Sequence, residues 1–356
     1  LTFLEKSFII ETVQYIMTTI RDIARIAQVS VGTVSNYLNN PELLADTTKE
    51  KIQIAIDEVG YFPNSAARSL KSNQTRRIGI IPEINPSHNK SVTPSDTTFL
   101  EFLSAINTVA AENNYAILMA ASLEDAEEMA IYKQLVGEGQ VDGFILSGTR
   151  RNDPRLIFLD EQNFPYVAFG RSNVGRGILV DVDGAAGIEM AVDHLVELGH
   201  KKIAFITPPN ELMCTQDRLA GFERAMEKHN IKIIDNYILE GDFQEESGRA
   251  SMYLLLDLAD PPTAVITAND ICAFGAITAL GNRKLQTGKD MSVIGFDDIR
   301  MASHWSPPLT TVWQPYREIG FMAGSLLIDL INGKDLQREY LLEPRLIIRN
   351  SAGTPG

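Results

Sequence analysis

Between Val31 and Asn39 the sequence VGTVSNYLN puts small and amide side chains where a solvated helix ordinarily carries lysine and glutamate. Val34 and Leu38 share one helical face, leaving Val31, Gly32, Ser35, Asn36 and Asn39 on the other. Such a face is slim enough to enter a DNA major groove ~12 Å wide, and its amides can hydrogen-bond base edges. A second set of polar residues stands far along the chain. Asn269 and Asp270 end TAVITAND, Asp297 and Asp298 end MSVIGFDD, Arg218 lies at the opening of the helical run DRLAGF, and Phe243 follows LEGD. Carboxylate, amide and guanidinium groups beside an aromatic ring suit a polyhydroxyl ligand, because every hydroxyl both donates and accepts. Each residue also has a plainer reading: Asp270 as a helix cap, Asp298 as a cap or ion-pair partner, Phe243 as core, Arg218 and Asp297 as a structural pair. Neither set is a catalytic apparatus. GxSxG, HExxH, Walker and GxGxxG patterns do not occur. Cys214, Cys272 and the five histidines fall at no metal-ligand spacing. The expectation is a binding protein with no cofactor and no metal, not an enzyme.

Three short helices must present the first set. Ile20, Ile23, Ala24 and Ala27 form an i, i+3, i+4, i+7 stripe, and Thr19 with Asp22 has capping-box spacing. QVS is a tight break, and Ser30 is a natural N-cap for the helix that follows. A third helix is expected to open at TTKE, with Thr47 and Glu50 as its capping box, and to bury Ile52, Ala55, Ile56 and Val59. Three helices joined this tightly make a helix-turn-helix unit, the plainer alternative being a generic small bundle. Beyond it, FPNSAARSLKSNQTRR predicts a helix with Asn64 as N-cap after Pro63. Leu70 is its one large apolar side chain, and it is shorter than the ~12–15 residues an isolated helix needs in water.

The whole chain has 356 residues, 44% of them apolar and 22% charged, and a net charge of −14, which is the make-up of a globular protein of two or three packed units. No apolar run approaches the ~20 residues of a membrane span. Residues 17–77 hold eight Lys/Arg against six Asp/Glu, so a mildly basic head is joined to a strongly acidic body, as suits a protein that shows only its head to a polyanion. Two distant cysteines fit a reducing cytoplasm. Residues 1–16 carry no signal-peptide pattern and are read as an extension outside the fold; translation from Met17 and a genuine extension both remain open.

TIRDIARIAQVSVGTVSNYLN followed by VGYFPNSAARSL resembles the DNA-binding head of the lactose-repressor/galactose-repressor (LacI/GalR) family of bacterial transcription regulators. The resemblance implies that Val31, Gly32 and Asn36 read bases, the first two by apolar or shape contact and Asn36 by bidentate geometry that favours adenine. Thr33, Ser35 and Asn39 would then position the helix through phosphates. It further implies that residues 63–77 hold a hinge helix that folds on the operator. There, paired copies from a homodimer push Leu70 between central bases of the minor groove, with Arg68 reaching the groove floor or a phosphate.

From Ile78 onward short apolar runs (IGIIP, YAILMA, VDGFILSG, FPYVAFG, KKIAFIT, TAVITAND, MSVIGFDD) alternate with helical patterns, which predicts α/β structure with parallel sheets. Some 270 residues exceed one such sheet, so two lobes are expected. The resemblance implies a periplasmic-binding-protein-like body over 78–350. Its N-lobe covers about 78–179 and 309–339 and its C-lobe about 180–308 and 340–350, with crossovers near 178–181, 306–309 and 338–341. The fold class expected overall is an all-α helix-turn-helix head at residues 17–62, a hinge, and this two-lobed α/β body. By the same resemblance Arg218, Phe243, Asn269 and Asp297 contact a small carbohydrate effector in the interlobe cleft. Arg171 in FGRSN is a candidate for the cleft rim, where the family often has aspartate in place of Gly170. The polar loop at 83–98 is longer than in the family, and Trp313 and Tyr316 approach the cleft or pack at a crossover. No heptads follow RLIIRNSAGTPG, so the expected assembly is a dimer on a near-palindromic operator. The expected function is a sugar-responsive regulator, as an inducer-released or co-repressed repressor; the alternative is a sugar-binding protein without DNA function.

Overall fold

The structure is a computed structural model that describes residues 19–61, 74–82, 97–120 and 125–356. The extension at 1–16, Asn64, Arg68 and Leu70 of the expected hinge, and most of the loop at 83–98 lie outside the described residues, as does the side chain of Asn39. The chain divides into two compact units, Leu1–Asn73 and Gln74–Gly356.

In the first unit, helices α1 (Ile20–Ile26), α2 (Val31–Asn39) and α3 (Asp46–Val59) pack around Ile23, Ala24, Ala27, Val34, Ile52 and Ala55. The Asp22 carboxylate accepts from the Thr19 amide at 3.0 Å and the Thr19 hydroxyl at 2.8 Å, and the Ser30 hydroxyl accepts from the Thr33 amide at 3.0 Å. Both N-caps are therefore as the sequence predicts. The third helix differs: it starts at Asp46 with Ala45 as N-cap and no side-chain cap, so Thr47 lies inside the helix and makes no capping box. A short 3-10 turn at Pro41–Leu43 precedes the helix, and the N-cap falls two residues ahead of Thr47. The tight break falls on Gln28, whose φ of 54° is left-handed.

The second unit is two lobes, each a six-stranded sheet covered by helices on both faces. Strands β1 (Arg77–Ile80), β2 (Ala116–Met119), β3 (Gly143–Leu146), β4 (Tyr166–Phe169), β5 (Ile178–Val182) and β11 (Glu339–Leu342) form the N-lobe sheet in the order β11-β5-β4-β3-β1-β2, all parallel. One face carries α4 (Thr97–Glu112) and α11 (Tyr316–Ile331), meeting at Ile106, Val109, Ala323 and Leu327. The other carries α5 (Asp125–Gly137) and α6 (Pro154–Glu161), with Tyr132, Leu135, Leu156 and Leu159 in its core.

The C-lobe sheet, in the order β12-β10-β9-β8-β6-β7, comprises β6 (Ile203–Thr207), β7 (Ile238–Glu240), β8 (Ala264–Thr267), β9 (Ser292–Asp297), β10 (Thr310–Trp313) and β12 (Arg345–Ile347). It is parallel except for β12, which runs antiparallel to β10. Helices α7 (Gly184–Glu197) and α8 (Met213–Lys228) cover one face, and α9 (Glu245–Leu256) and α10 (Asp270–Asn282) the other. The last pair approach through glycines: a Cβ on Gly275 would lie 1.8 Å from the Glu245 carbonyl oxygen, and one on Gly248 2.0 Å from that of Cys272.

Sheet membership places the three crossovers at 183, 314–315 and 343–344, each a few residues beyond the expected position. β5 through Val182 and β11 through Leu342 belong to the N-lobe, and β10 to the C-lobe. Residues 306–309, near which the resemblance puts a crossover, lie ahead of β10 in the structure; Pro315, the N-cap of α11, is where the chain changes lobes. The body also starts earlier than residue 78. The Asp142 carboxylate accepts from the Thr75 amide and hydroxyl (2.6 and 2.8 Å) and from the Arg76 amide (2.8 Å), which pins those residues to the N-lobe.

The last residues of the chain are held by a buried histidine. His200 sits within hydrogen-bond distance of the Thr263 hydroxyl (2.8 Å), the Ser292 hydroxyl (3.0 Å) and the Gly353 carbonyl (2.8 Å). Burial lowers its pKa below the ordinary ~6.5. A histidine with a depressed folded value contributes stability that is present above ~6.5 and is lost as pH falls, because the unfolded chain then binds the extra proton. Melting temperatures recorded from pH 7.5 to 5.5 are expected to fall, and His200→Gln to flatten that slope; equal slopes would contradict this role.

Candidate functional site

The head and the body each carry a candidate surface. On the head, α2 turns Val31, Gly32 and Asn36 to solvent, with Val31 40% exposed in spite of its apolar side chain. Thr33 and Ser35 are half-buried. The Thr33 hydroxyl lies 2.8 Å from that of Ser30, so part of its capacity is used in the cap. Val34 anchors the opposite face completely buried, and the Tyr37 hydroxyl donates to Gln53 of α3 at 2.7 Å. Helix α2 is therefore held from behind while its front presents one amide, one glycine and one apolar side chain, the surface a groove-reading helix needs.

In the body, a cleft lies between the lobes. Four of the five effector residues expected from the sequence line it: Arg218, Phe243, Asn269 and Asp297. They arrive from α8, the β7–α9 loop, the N-cap of α10 and the end of β9. Helix α8 begins at Met213, so Arg218 lies in its second turn instead of opening it.

Their surroundings differ in kind. The Arg218 guanidinium, 6% exposed, stacks 3.6 Å from the Phe296 ring centroid and donates from Nη1 to the Ala268 carbonyl at 2.7 Å; its Nε is buried with no hydrogen-bond partner. Asp297, 8% exposed, accepts from Gln314 Nε2 at 2.6 Å and from the Tyr316 hydroxyl at 2.9 Å. Asn269 spends its carbonyl on the Cys272 amide at 2.8 Å and one N–H on the Phe243 carbonyl at 3.1 Å, which leaves one amide hydrogen. Phe243 and Asp297 have φ of 65° and 112°, left-handed conformations that cost non-glycine residues energy and that gather at functional sites. Arg171 is different. It is not among the cleft-lining residues, and its guanidinium reaches Asp217 at 3.5 Å and Asp183 at 3.9 Å.

Several lining residues are not evident from the sequence. Asp181, near the end of β5, accepts from the Arg171 and Val182 amides at 3.0 and 2.8 Å, and burial pushes its carboxyl up to about 7. Burial also raises Asp217 on α8 and the Cys214 thiol. Phe99, Phe102, Phe169 and Tyr316 make the N-lobe side aromatic. Tyr316 thus lines the cleft, whereas Trp313 lies under Arg345, 5.0 Å from its ring centroid. Asp298 takes its plainer role and pairs with Arg349 at 2.7 Å, whereas Asp270 is not the helix cap: Asn269 caps α10, and the Asp270 carboxylate accepts from the Ile299 amide and the Thr311 hydroxyl and is pushed well above the carboxylate range by burial.

The N-lobe wall is fixed from below. Buried Arg155, paired with Asp153 and Glu128 at 2.7 and 3.1 Å, donates to the carbonyls of Ser147 and Gly148 at 3.3 and 2.8 Å. Gly170 explains the missing aspartate in FGRSN: φ is 122°, and a Cβ would lie 2.4 Å from the Thr149 hydroxyl. At one rim the lobes are stitched by backbone bonds, Met213 N to Thr149 O at 2.9 Å and Arg151 N to Glu211 O at 3.1 Å. Among the described residues no His/Cys/Asp/Glu group could hold a metal ion, and no helix is long and apolar enough to cross a membrane.

Comparison with known proteins assigns both parts of the chain. Residues 19–64 match the family described as bacterial regulatory proteins, lacI family, and residues 192–352 match the periplasmic binding protein-like domain. Over 340 residues, 94% of this chain and 97% of the relative, the sequence is 34% identical to the HTH-type transcriptional repressor PurR of Salmonella paratyphi B. Two solved structures each cover 94% of this chain and 99% of their own. The transcriptional regulator CelR in complex with cellobiose is 29% identical with a TM-score of 0.72, and the Lac repressor dimer bound to operator and the anti-inducer ONPF is 27% identical with a TM-score of 0.83. A helix-turn-helix head, a two-lobed α/β body with a cleft between its lobes and this identity over nearly the full chain make one conclusion: the chain belongs to the LacI family of bacterial regulatory proteins and is a DNA-binding transcriptional regulator.

Proposed function

We propose that this regulator is a repressor whose operator affinity is set by a small carbohydrate in the interlobe cleft, and that it binds a near-palindromic operator as a homodimer in the cytoplasm. The observation that carries the reading is the convergence of Arg218, Phe243, Asn269 and Asp297, from four separate segments, on one aromatic-walled cleft. Guanidinium and amide donors, carboxylate acceptors and stacking rings are what a ring of hydroxyls needs. That a similar structure is a complex with cellobiose supports the same chemistry here. The effector acts by preferring one lobe arrangement: ~100-fold discrimination between two states is worth roughly 2.7 kcal/mol. Calorimetric titration of the full chain with neutral mono- and disaccharides and with nucleobases tests this. Saturable sugar binding is expected, and nucleobase binding without sugar binding would contradict it.

On the DNA side, Val31, Gly32 and Asn36 read bases, while Thr33, Ser35 and Asn39 set the helix against phosphates. Asn64 caps the hinge helix, Arg68 holds the minor groove, and Leu70 is the wedge that unstacks a central step. Leu70→Ala is expected to weaken specific operator binding at least about tenfold with sugar affinity unchanged. Without the wedge the DNA stays straighter and wraps less of the protein surface. Unchanged operator affinity in a gel-shift titration would contradict the wedge.

A further inference from the structure

Among the described residues three carboxylates, Asp181, Asp217 and Asp297, line the cleft, against a single lining arginine, Arg218. That arginine is already partly committed to the Ala268 carbonyl and the Phe296 ring. A second cation nearby, Arg171, is drawn away by Asp217 and Asp183. Other polar groups that line the cleft, Ser147, Thr149, Gln314 and Asn269, are neutral. The donors left to a ligand include Arg218 Nε, which is buried without a hydrogen-bond partner, and the second amide hydrogen of Asn269, beside an excess of acidic oxygens. A hydroxyl can donate to a carboxylate, but a fully ionised phosphate or carboxylate has no proton to donate and brings like charge beside the three carboxylates. Burial raises Asp181 to about 7, helped by the Asp217 charge, and raises Asp217 as well, so the charge barrier is strongest above that pH and the titrations are made at about pH 8.

Resting on the carbohydrate reading above, we propose that the cleft selects its effector by charge: it takes an uncharged sugar and rejects phosphorylated and carboxylated ones. Asp217 is the specificity-determining residue. It adds a carboxylate to the cleft wall and also ties up the arginine that would otherwise answer an anion. An ammonium group meets no such barrier, so an amino sugar is accepted.

The test titrates the full chain at about 0.1 M salt, where charges more than a Debye length of ~10 Å apart are screened. The ligands are a neutral sugar that binds, its 6-phosphate, its uronic acid, its 2-amino form and its 6-O-methyl ether. Binding of the phosphate and the uronate is expected to be at least about 100-fold weaker than that of the neutral sugar, with the amino and methyl forms within about tenfold of it. Asp217→Asn is expected to narrow the neutral-to-phosphate ratio at least about tenfold, by removing one charge from the cleft wall and one of the two carboxylates that hold Arg171. Phosphate or uronate binding as tight as the neutral sugar would overturn the inference and leave the carbohydrate reading standing. An equally large loss for the methyl ether would show exclusion by size and overturn it too, as would an unmoved ratio in Asp217→Asn. Failure of every sugar, charged or not, would overturn both readings.

Discussion

Asp297→Ala is expected to weaken the effector response at least about 100-fold while operator affinity without effector stays within about threefold. Asp297 is nearly buried, its backbone is held at a left-handed φ of 112°, and its carboxylate accepts from Gln314 and Tyr316. Truncation leaves those two donors facing an empty space, and each unsatisfied buried donor costs about 1–3 kcal/mol. It also removes an acidic acceptor from the cleft wall, so the losses fall on effector binding. Asp297→Asn keeps an oxygen acceptor at the same place and is expected to retain part of the response. Operator release followed against effector concentration reads both variants. A normal response in Asp297→Ala would move the effector site elsewhere.

A second large effect is expected in the head. Ile52→Ala should abolish specific DNA binding, by at least about 100-fold, and leave the melting of the body and its effector affinity unchanged. Ile52 is completely buried at the junction of three helices whose core otherwise has only Ile23, Val34 and three alanines fully enclosed. Large-to-small replacements of this kind cost about 2–5 kcal/mol, a sum comparable to the whole stability of so small a unit. The two compact units make the effects separable, since Ile52 packs within the first alone. Calorimetric melting alongside operator titration distinguishes the outcomes. Retained operator affinity in Ile52→Ala would show that the head tolerates the cavity.

The parts of the fold visible in the sequence are those set by local chemistry. The stripe from Ile20 to Ala27, the Thr19–Asp22 pair and the Ser30 cap are determined within a few residues of one another, and the structure shows them as read. Strands β1–β4, β6, β8 and β9 are likewise visible as short apolar runs, whereas β5 and β10, though mostly or wholly buried, are not among those runs. What fails is whatever depends on a competing local signal or on sheet membership. Thr47 has capping-box spacing, yet the 3-10 turn before it lets the helix begin at Asp46. The crossover expected near 306–309 from the resemblance falls instead at Pro315, because β10 still belongs to the C-lobe sheet.

The site divides in the same way. Asp297 and Asn269 stand at strand ends, where an open α/β sheet binds ligands, so position alone marks them. Asp181 and Asp217 are hidden because their meaning is tertiary. Asp181 lies inside ILVDV, a run that reads as continuous strand, and Asp217 is significant through Arg171, 46 positions earlier. Arg171 is expected at the rim from its neighbours in FGRSN, but its partners turn it away from the cleft lining. A residue's type and local spacing show what it can bind; which partner claims it first depends on the fold.

Coupling between operator and sugar is tested most directly by selecting sites from a random DNA pool with the full chain, with and without neutral sugars present. One enriched near-palindromic site is expected, with adenine preferred where Asn36 meets each half, and with an occupancy that a neutral sugar changes. Failure to enrich any site, or a site whose occupancy no sugar alters, would contradict a regulator that links operator binding to a carbohydrate.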